Sequence, residues 1–292
     1  MVPGALPAWI KVRADQGSAF ESTRSILRER GVRTVCDSAH CPNISECWRE
    51  RAATFLLLGR HCTRHCRFCA VGDGRPDPVD VDEPLRIADA VHDLGLRYVV
   101  MTSVTRDDLV DMGAAHFAAT VAAIKESSEA KVELLAPDLR GDEESIKTIL
   151  QAGPDVFGHN LETVRRLQAA VRDSRASYDL SLQTLRRARE ILPSLVTKTS
   201  LLLGLGEETD EVLQAMEDAR AVGVDILVLG QYLRPKGVEL PVRRYLPPEE
   251  FDHLAAEARK LGFKAVVSAP LARTSYRAEA AFRLAKGDDD AG

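Results

Sequence analysis

The side chains best suited to chemistry are six cysteines, at positions 36, 41, 47, 62, 66 and 69, and none follows Cys69 in a chain of 292 residues. They form two triads, Cys36-x4-Cys41-x5-Cys47 and Cys62-x3-Cys66-x2-Cys69. A disulfide framework of six cysteines belongs to small secreted domains that lack a sufficient core. Here 45% of residues are hydrophobic, and Met1–Pro7 has neither a basic n-region nor an uninterrupted apolar run, so no secretory signal is expected. Structural zinc takes four ligands, commonly from paired C-x2-C knuckles, a grouping of two and two rather than three and three. A cubane iron–sulfur cluster usually takes four thiolates. Two triads therefore favour two iron–sulfur clusters, each one protein thiolate short.

The elements that must position these thiols are legible in the patterning. β-Branched apolar runs suggest strands near 54–58, 98–104, 132–136, 155–159, 196–203 and 225–229,. Between them lie helical patterns near 84–94, 114–127, 143–151, 161–171 with 180–191, and 208–221. A short helix over 22–30 ends at Gly31, and a last helix over 248–261, with Pro248 at its start and Gly262 past its end, precedes a short strand at 264–267,. Strand–helix alternation implies parallel βαβ units with right-handed crossovers. Six main units, not the eight of a closed barrel, define an α/β fold: an open partial (β/α)6 barrel over 54–262. A 1–53 extension would carry the first triad, and a 263–292 extension would end in a disordered Asp-rich tail.

Charge excludes several classes. Lys and Arg number 39 against 44 Asp and Glu, a net charge of −5, which argues against a generic nucleic-acid or anionic-membrane binder. No run of 18 apolar residues is present to span a membrane,. A cytoplasmic protein is expected.

Sites in α/β folds lie at the carboxyl ends of strands. The first strand runs directly into Cys62–Cys69, the second ends in Thr102-Ser103-Val104-Thr105-Arg106-Asp107-Asp108, the fourth in Gly158-His159-Asn160-Leu161-Glu162, the fifth in Gly204-Leu205-Gly206-Glu207 and the sixth in Gly230-Gln231-Tyr232. Polar and glycine residues thus gather at one barrel mouth.

Cys62-x3-Cys66-x-Phe68-Cys69 after a first barrel strand resembles the motif of the radical S-adenosylmethionine (SAM) superfamily. The upstream Cys36-x4-Cys41-Pro42-Asn43-x3-Cys47, the strand-end motifs above and the C-terminal Arg273-Thr274-Ser275-Tyr276 narrow the resemblance to the lipoyl synthases, over residues 8–282. That resemblance implies a SAM-binding [4Fe–4S] cluster on Cys62, Cys66 and Cys69, with SAM on the open iron. It also implies an auxiliary [4Fe–4S] cluster on Cys36, Cys41, Cys47 and Ser275. Phe68, Thr102, Ser103, His159, Asn160, Glu162 and Glu207 are the candidate SAM contacts; the alternatives are a packing residue for Phe68, a polar strand-end cap for His159 and Asn160, and a helix N-terminal acid for Glu207,. The implied reaction inserts sulfur at C6 and C8 of an octanoyl group amide-linked to a carrier lysine, with the auxiliary cluster consumed as sulfur donor. Unactivated carbons offer no acid–base handle, so the cofactor carries the hard step and no general acid or base is assigned. The implied partners are an octanoylated lipoyl carrier domain or glycine-cleavage H protein, a low-potential electron donor and a cluster-repair protein, with no nucleic acid and no membrane. A serine oxygen is a harder donor than a thiolate and matches a soft sulfide cluster less well, so the Ser275 corner is expected to be the most easily lost.

Four stretches depart from the family pattern. Thr274 stands where a serine is usual, Gly158 where Asn is common, Lys198-Thr199-Ser200 replaces Lys-Ser-Gly, and Pro235–Leu240 lacks the usual basic or His-containing run. Arg64, His65 and Arg67 are expected to form a solvated basic loop, with tuning of the cluster as the alternative, and Arg106-Asp107-Asp108 an ion-pair turn. Trp9 and Trp48 are expected to pack. Another radical SAM reaction with an auxiliary cluster, or a non-enzymatic iron–sulfur electron carrier, are the competing readings.

Overall fold

The computed structural model describes residues 6–12, 17–235 and 238–288; most of the expected disordered tail, 289–292, lies outside them. Seven parallel strands form one open sheet in sequence order: β1 (Thr54–Leu57), β2 (Tyr98–Ser103), β3 (Lys131–Leu135), β4 (Val156–Gly158), β5 (Val196–Leu203), β6 (Ile226–Gln231) and β7 (Ala265–Ala269). The strands are buried on both faces over most of their length, as parallel sheets covered by helices require. β7 pairs along β6 from Ile226↔Ala265 to Gly230↔Ala269, so the sheet extends beyond the six expected units and past residue 262.

The helices are α1 (Ser18–Glu29), α2 (Val35–Ser38), α3 (Ile44–Arg49), α4 (Glu83–Leu94), α5 (Ala114–Ser127), α6 (Glu143–Gln151), α7 (Gln168–Val171), α8 (Tyr178–Ile191), α9 (Thr209–Ala221), α10 (Pro248–Lys260) and α11 (Ala278–Lys286). Helices α4–α10 form the crossovers, and their ends follow local chemistry. Asp142 and Ser177 cap α6 and α8 by accepting the Ser145 and Leu180 amides, and Glu208 and Glu211 form a capping box on α9,. Among the described residues no helix is long and apolar enough to cross a membrane.

One expected helix is largely absent. Of 161–171, only Gln168–Val171 is α-helical, preceded by a single 3-10 turn. Residues 161–163 instead continue beside β5: Glu162 N–H donates to Ser200 O (3.1 Å) and Leu202 N–H to Glu162 O (2.8 Å). Backbone pairing at the barrel mouth overrides helical periodicity here, and it turns Glu162 toward the interior with φ at 64°.

The core divides along the sheet. Phe55, Met101, Phe117, Ile124, Leu134 and Phe157 lead one cluster, and Leu201, Met216, Leu227, Leu229 and Phe251 a second. Toward the amino ends of the strands, Lys198 Nζ pairs with Glu133 Oε1 at 2.7 Å, both side chains 1% exposed, and Tyr98 donates to the other carboxylate oxygen (2.7 Å). A buried pair survives only when its remaining hydrogen bonds are satisfied; the Tyr98 hydroxyl contributes one here.

Candidate active site

The loop carrying Cys62, Cys66 and Cys69 leaves β1 through Leu58, whose φ of 68° turns the chain over the carboxyl edge of the sheet. Every side of the loop is tied down. Cys62 N–H donates to Gly72 O (2.8 Å), Thr63 N–H to Thr105 O (3.0 Å), Arg67 N–H to Val171 O (2.9 Å) and Leu240 N–H to Arg67 O (2.9 Å). His65 N–H donates to Asp173 Oδ2 at 2.9 Å. Arg64 is the central pin. It is 6% exposed and its guanidinium donates to both carboxylate oxygens of Asp107 (2.9 Å each) and to both of Asp138, at 2.8 Å for Oδ1. The solvated-loop expectation therefore fails at Arg64, because two aspartates from the ends of β2 and β3 draw it inward; His65 and Arg67 do remain exposed. Arg106 forms the expected ion-pair turn with Asp108 (2.9 Å) and also donates to Leu58 O (3.1 Å).

The upstream triad is held on α2, α3 and the turn between them, with Cys41 N–H on Cys36 O (3.0 Å) and Cys47 N–H on Asn43 O (2.9 Å). Thr34 bridges Phe55 of β1, so this segment docks on the first strand. A strap at 270–276 closes over it from the other end of the chain. Gln231 N–H donates to Pro270 O (3.1 Å), Asn43 Nδ2 to Leu271 O (2.7 Å) and Tyr276 Oη to Glu46 Oε1 (2.9 Å). Gly230 is where the strap crosses β6: a Cβ there would lie 2.1 Å from Ala272 O, so glycine permits the approach. Thr274 Oγ1 accepts from Asn160 Nδ2 (3.1 Å) and donates toward Ser200 Oγ (3.3 Å). Two of the departures from the family pattern, Thr274 and Ser200, thus contact each other.

These pieces surround one cavity of about 2240 Å³ at the carboxyl ends of the strands. Its wall includes Cys36, Cys41, Cys62, Cys66, Cys69 and Ser275, together with Phe68, Thr102, Ser103, His159, Asn160 and Glu162. Cys47 is not part of that wall. Glu207 is also outside it, its carboxylate accepting the amides of Gly204 (2.5 Å) and Leu205 (2.9 Å).

The thiols have the chemistry of ligand sets. All six are free, and among the described residues no three His, Cys, Asp or Glu side chains converge on a single-ion site. Burial pushes Cys36, Cys47 and Cys69 up to about 12, and raises Cys41 and Cys66 as well. Within each triad, ionised neighbours push the thiols further the same way: Cys41 acts on Cys36, both act on Cys47, and Cys62 and Cys66 act on Cys69. Backbone amides are aimed at the sulfurs, Thr105 and Arg64 N–H at Cys62 (3.3 and 3.4 Å) and Asp173 N–H at Cys66 (3.4 Å). Clustered thiols that repel one another's ionisation, yet face hydrogen-bond donors, suit positively charged iron that would stabilise them as thiolates. The residues present fit iron–sulfur clusters.

His159 is fully committed within the protein. Arg172 Nη1 donates to Ser181 Oγ (2.7 Å), so that hydroxyl donates onward to His159 Nε2 (2.9 Å), leaving Nδ1–H to donate to Ala136 O (2.9 Å). Burial, and then the Arg172 cation, lower this imidazole to about 4, so it is neutral. Glu162 is shifted the opposite way, its carboxyl raised by desolvation at the cavity wall. Arg172 itself was not singled out by the sequence. It is 9% exposed, lines the cavity and keeps its Nε without a hydrogen-bond partner. It lies just past the helix expected over 161–171, with no motif to mark it.

A partial parallel barrel whose first loop offers three cysteines defines the class of radical SAM enzymes, and the family model of the radical SAM superfamily matches residues 56–226. In fold the chain is similar to the [FeFe]-hydrogenase maturase HydG (TM-score 0.59, 14% identity, covering 86% of this chain and 64% of that one) and to methylornithine synthase (TM-score 0.52, 14% identity, 73% and 70%). In sequence it is 51% identical to the lipoyl synthase of Thermus thermophilus over 94% of this chain and 86% of that protein, and 53% identical to that of Pyrobaculum calidifontis over 95% and 96%. The chain belongs to the lipoyl synthase family.

Proposed function

We propose that this enzyme inserts two sulfur atoms, at C6 and C8, into an octanoyl group carried on a lysine of a lipoyl carrier domain or H protein, producing the lipoyl cofactor. Its cofactors are SAM and [4Fe–4S] iron–sulfur chemistry. We assign two clusters, one on Cys62, Cys66 and Cys69 and an auxiliary one on Cys36, Cys41, Cys47 and Ser275. When bound, the SAM-ligated cluster supplies a radical able to take hydrogen from an unactivated carbon, and the auxiliary cluster supplies the sulfur.

The observation that carries this reading is the meeting of both cysteine loops and Ser275 on one cavity. Its mixed wall, with the apolar Leu135, Leu201, Leu202 and Val228 beside Asn160 and Glu162, suits an acyl chain that must lie between a polar cofactor and a sulfur source. The chain's own contribution is positioning and exclusion of water. Arg64 fixes the first loop, Thr274 and Asn160 fix the strap, and Phe68, packed on the cluster of Val171, Leu205 and Tyr232, closes one side. The segments flanking the sheet, 17–53 before β1 and 270–276 after β7, act as extensions that bring the auxiliary ligands to the barrel. A low-potential electron donor, a cluster-repair protein and a cytoplasmic setting complete the proposal.

The test is anaerobic reconstitution with SAM, reductant and an octanoyl-lysine carrier peptide, followed by mass spectrometry. A two-sulfur dihydrolipoyl product with two 5′-deoxyadenosines per product is expected. Deoxyadenosine without sulfur on the peptide would reject this substrate while retaining the class of chemistry.

A further inference from the structure

The cavity is bordered by side chains that its own chemistry does not require. Among the described residues nine large apolar side chains are exposed, and four of them, Leu6, Trp9, Val12 and Val238, line this one cavity. Apolar side chains scattered singly over a surface need no explanation, whereas a group gathered at one place marks an interaction site. Trp9, expected to pack, is instead 45% exposed, and Val238 is 89% exposed.

Hydrogen bonds join the separate segments into one rim. Ile10 is buried and anchors residues 6–12, while Trp9 Nε1 donates to Leu246 O at 3.2 Å. The stretch leading to Leu246 is tied down in turn: Leu240 N–H donates to Arg67 O (2.9 Å) and Arg243 N–H to Gly204 O (2.8 Å). The rim thus stands on the cysteine loop and on the end of β5, at the open side of the site.

Its charge is one-sided. Arg67 and Arg243 line the cavity and are exposed, and neither forms an ion pair with a described residue; Arg67 Nη1 donates only to Ala170 O (3.0 Å). Lys11, between Trp9 and Val12, is likewise exposed without an ion pair to a described residue. Among the described lining residues the one exposed carboxylate, that of Asp73, is engaged by His65 at 2.6 Å. Cations are therefore left unbalanced at this edge of a chain whose net charge is −5.

We propose that this rim docks the folded domain that carries the octanoyl-lysine, through an acidic face around that lysine. The inference rests on the proposed function and names how its partner is recognised. The arm is one lysine side chain and one octanoyl chain long, so delivering its C6 and C8 into the cavity brings the body of the carrier against whatever borders the opening. Exposed Trp and Arg are the side chains that most often carry interface energy, and unbalanced cations steer an acidic partner and fix its register.

The test compares two substrates of the reconstituted enzyme under dithionite: a short octanoyl-lysine peptide and octanoylated H protein. Wild type is expected to show a lower KM for H protein than for the peptide. R243E and V238D alter exposed side chains and should each raise the KM for H protein about fivefold, leaving kcat and the KM for the peptide unchanged. The wild-type KM for H protein should rise with salt and that of R243E much less. Replacing a carboxylate beside the carrier's lysine with lysine should restore part of the loss in R243E. A KM for H protein that is no lower than the peptide's, or that neither variant changes, overturns the proposal and leaves the rim to another partner, such as the electron donor or a second copy of this chain. Equal losses on peptide and H protein also overturn it, since they place the effect in the cavity itself. Wild type that adds sulfur to neither substrate would instead overturn the functional reading beneath the proposal.

Discussion

The Tyr276 hydroxyl donates to Glu46 Oε1 at 2.9 Å across 230 positions of sequence. Glu46 precedes Cys47 on α3, and Tyr276 follows Ser275 on the strap, so this bond joins the two parts of the proposed auxiliary ligand set. Asn43 makes the parallel connection to Leu271 O. The strap is thus a lid clamped at both ends, rather than a tail lying on the surface.

The clamp should matter to the auxiliary cluster more than to the barrel. In N43A the carbonyl of Leu271 loses its partner, a loss of about 1–3 kcal/mol for a buried hydrogen bond. Iron and sulfide analysis of reconstituted protein is expected to show selective loss of the auxiliary cluster, with SAM still perturbing the EPR signal of the cluster that remains. Equal loss of both clusters would show that the strap supports the whole barrel mouth instead.

Arg64 is expected to be the most sensitive of the loop's basic residues. Removing it leaves Asp107 and Asp138 buried without their bidentate partner, and breaking such a pair from one side costs about 3–5 kcal/mol. R64A should lose most of that in urea denaturation, and R64K, which cannot form the same fork, a smaller part. H65A and R67A should change stability by less than about 1 kcal/mol, as exposed positions do.

Buried His159 gives the apoprotein a defined acid sensitivity. Its imidazole is lowered from 6.5 to about 4 in the fold, so between these values the unfolded chain binds the proton and the folded chain does not. The contribution is fully present above pH 6.5 and is lost as pH falls toward 4, on the order of 3 kcal/mol in total. Urea midpoints at pH 7 and pH 4.5 should therefore differ more in wild type than in H159Q. Equal differences would mean that other groups carry the acid response.

Raised thiols predict poor reactivity without iron. With Cys36, Cys47 and Cys69 near 12, few are thiolates at pH 8. After cluster removal under reducing conditions, iodoacetamide should modify these three far more slowly in the native chain than in urea, as read by peptide mass spectrometry. Reconstitution should release protons and become less favourable as pH falls.

Glu207 is expected to act on its own turn. E207A leaves the Gly204 and Leu205 amides without their carboxylate and should destabilise by about 1–2 kcal/mol. Its SAM dissociation constant, measured by equilibrium binding to the reconstituted protein, should stay within twofold of wild type; a tenfold loss would return Glu207 to the SAM site.

The alternation of apolar runs and amphipathic stretches was enough to read the parallel α/β sheet, because each period reports a local requirement to bury one face. The error at 161–171 arose where that requirement was not local: the backbone of Glu162 pairs with β5, a partner that periodicity within the segment does not reveal. Arg64 shows the same limit. Beside His65 and Arg67 it looks like a surface cation, and only the approach of Asp107 and Asp138 makes it a buried one.

By itself, then, the sequence determined which atoms are available for chemistry: two triads of thiols, Ser275 and a sheet to carry them, since residue type, spacing and hydrophobic period are properties of the linear chain. Tertiary structure alone decided which of those atoms share a cavity. It set Ser275 on one cavity wall with Cys36 and Cys41, committed both nitrogens of His159 to Ala136 and Ser181 and turned Glu207 back on its own loop. The physical reason is that burial, hydrogen-bond satisfaction and charge pairing depend on distances between residues far apart in the chain, and those distances exist only once the strands have paired and the strap has crossed them.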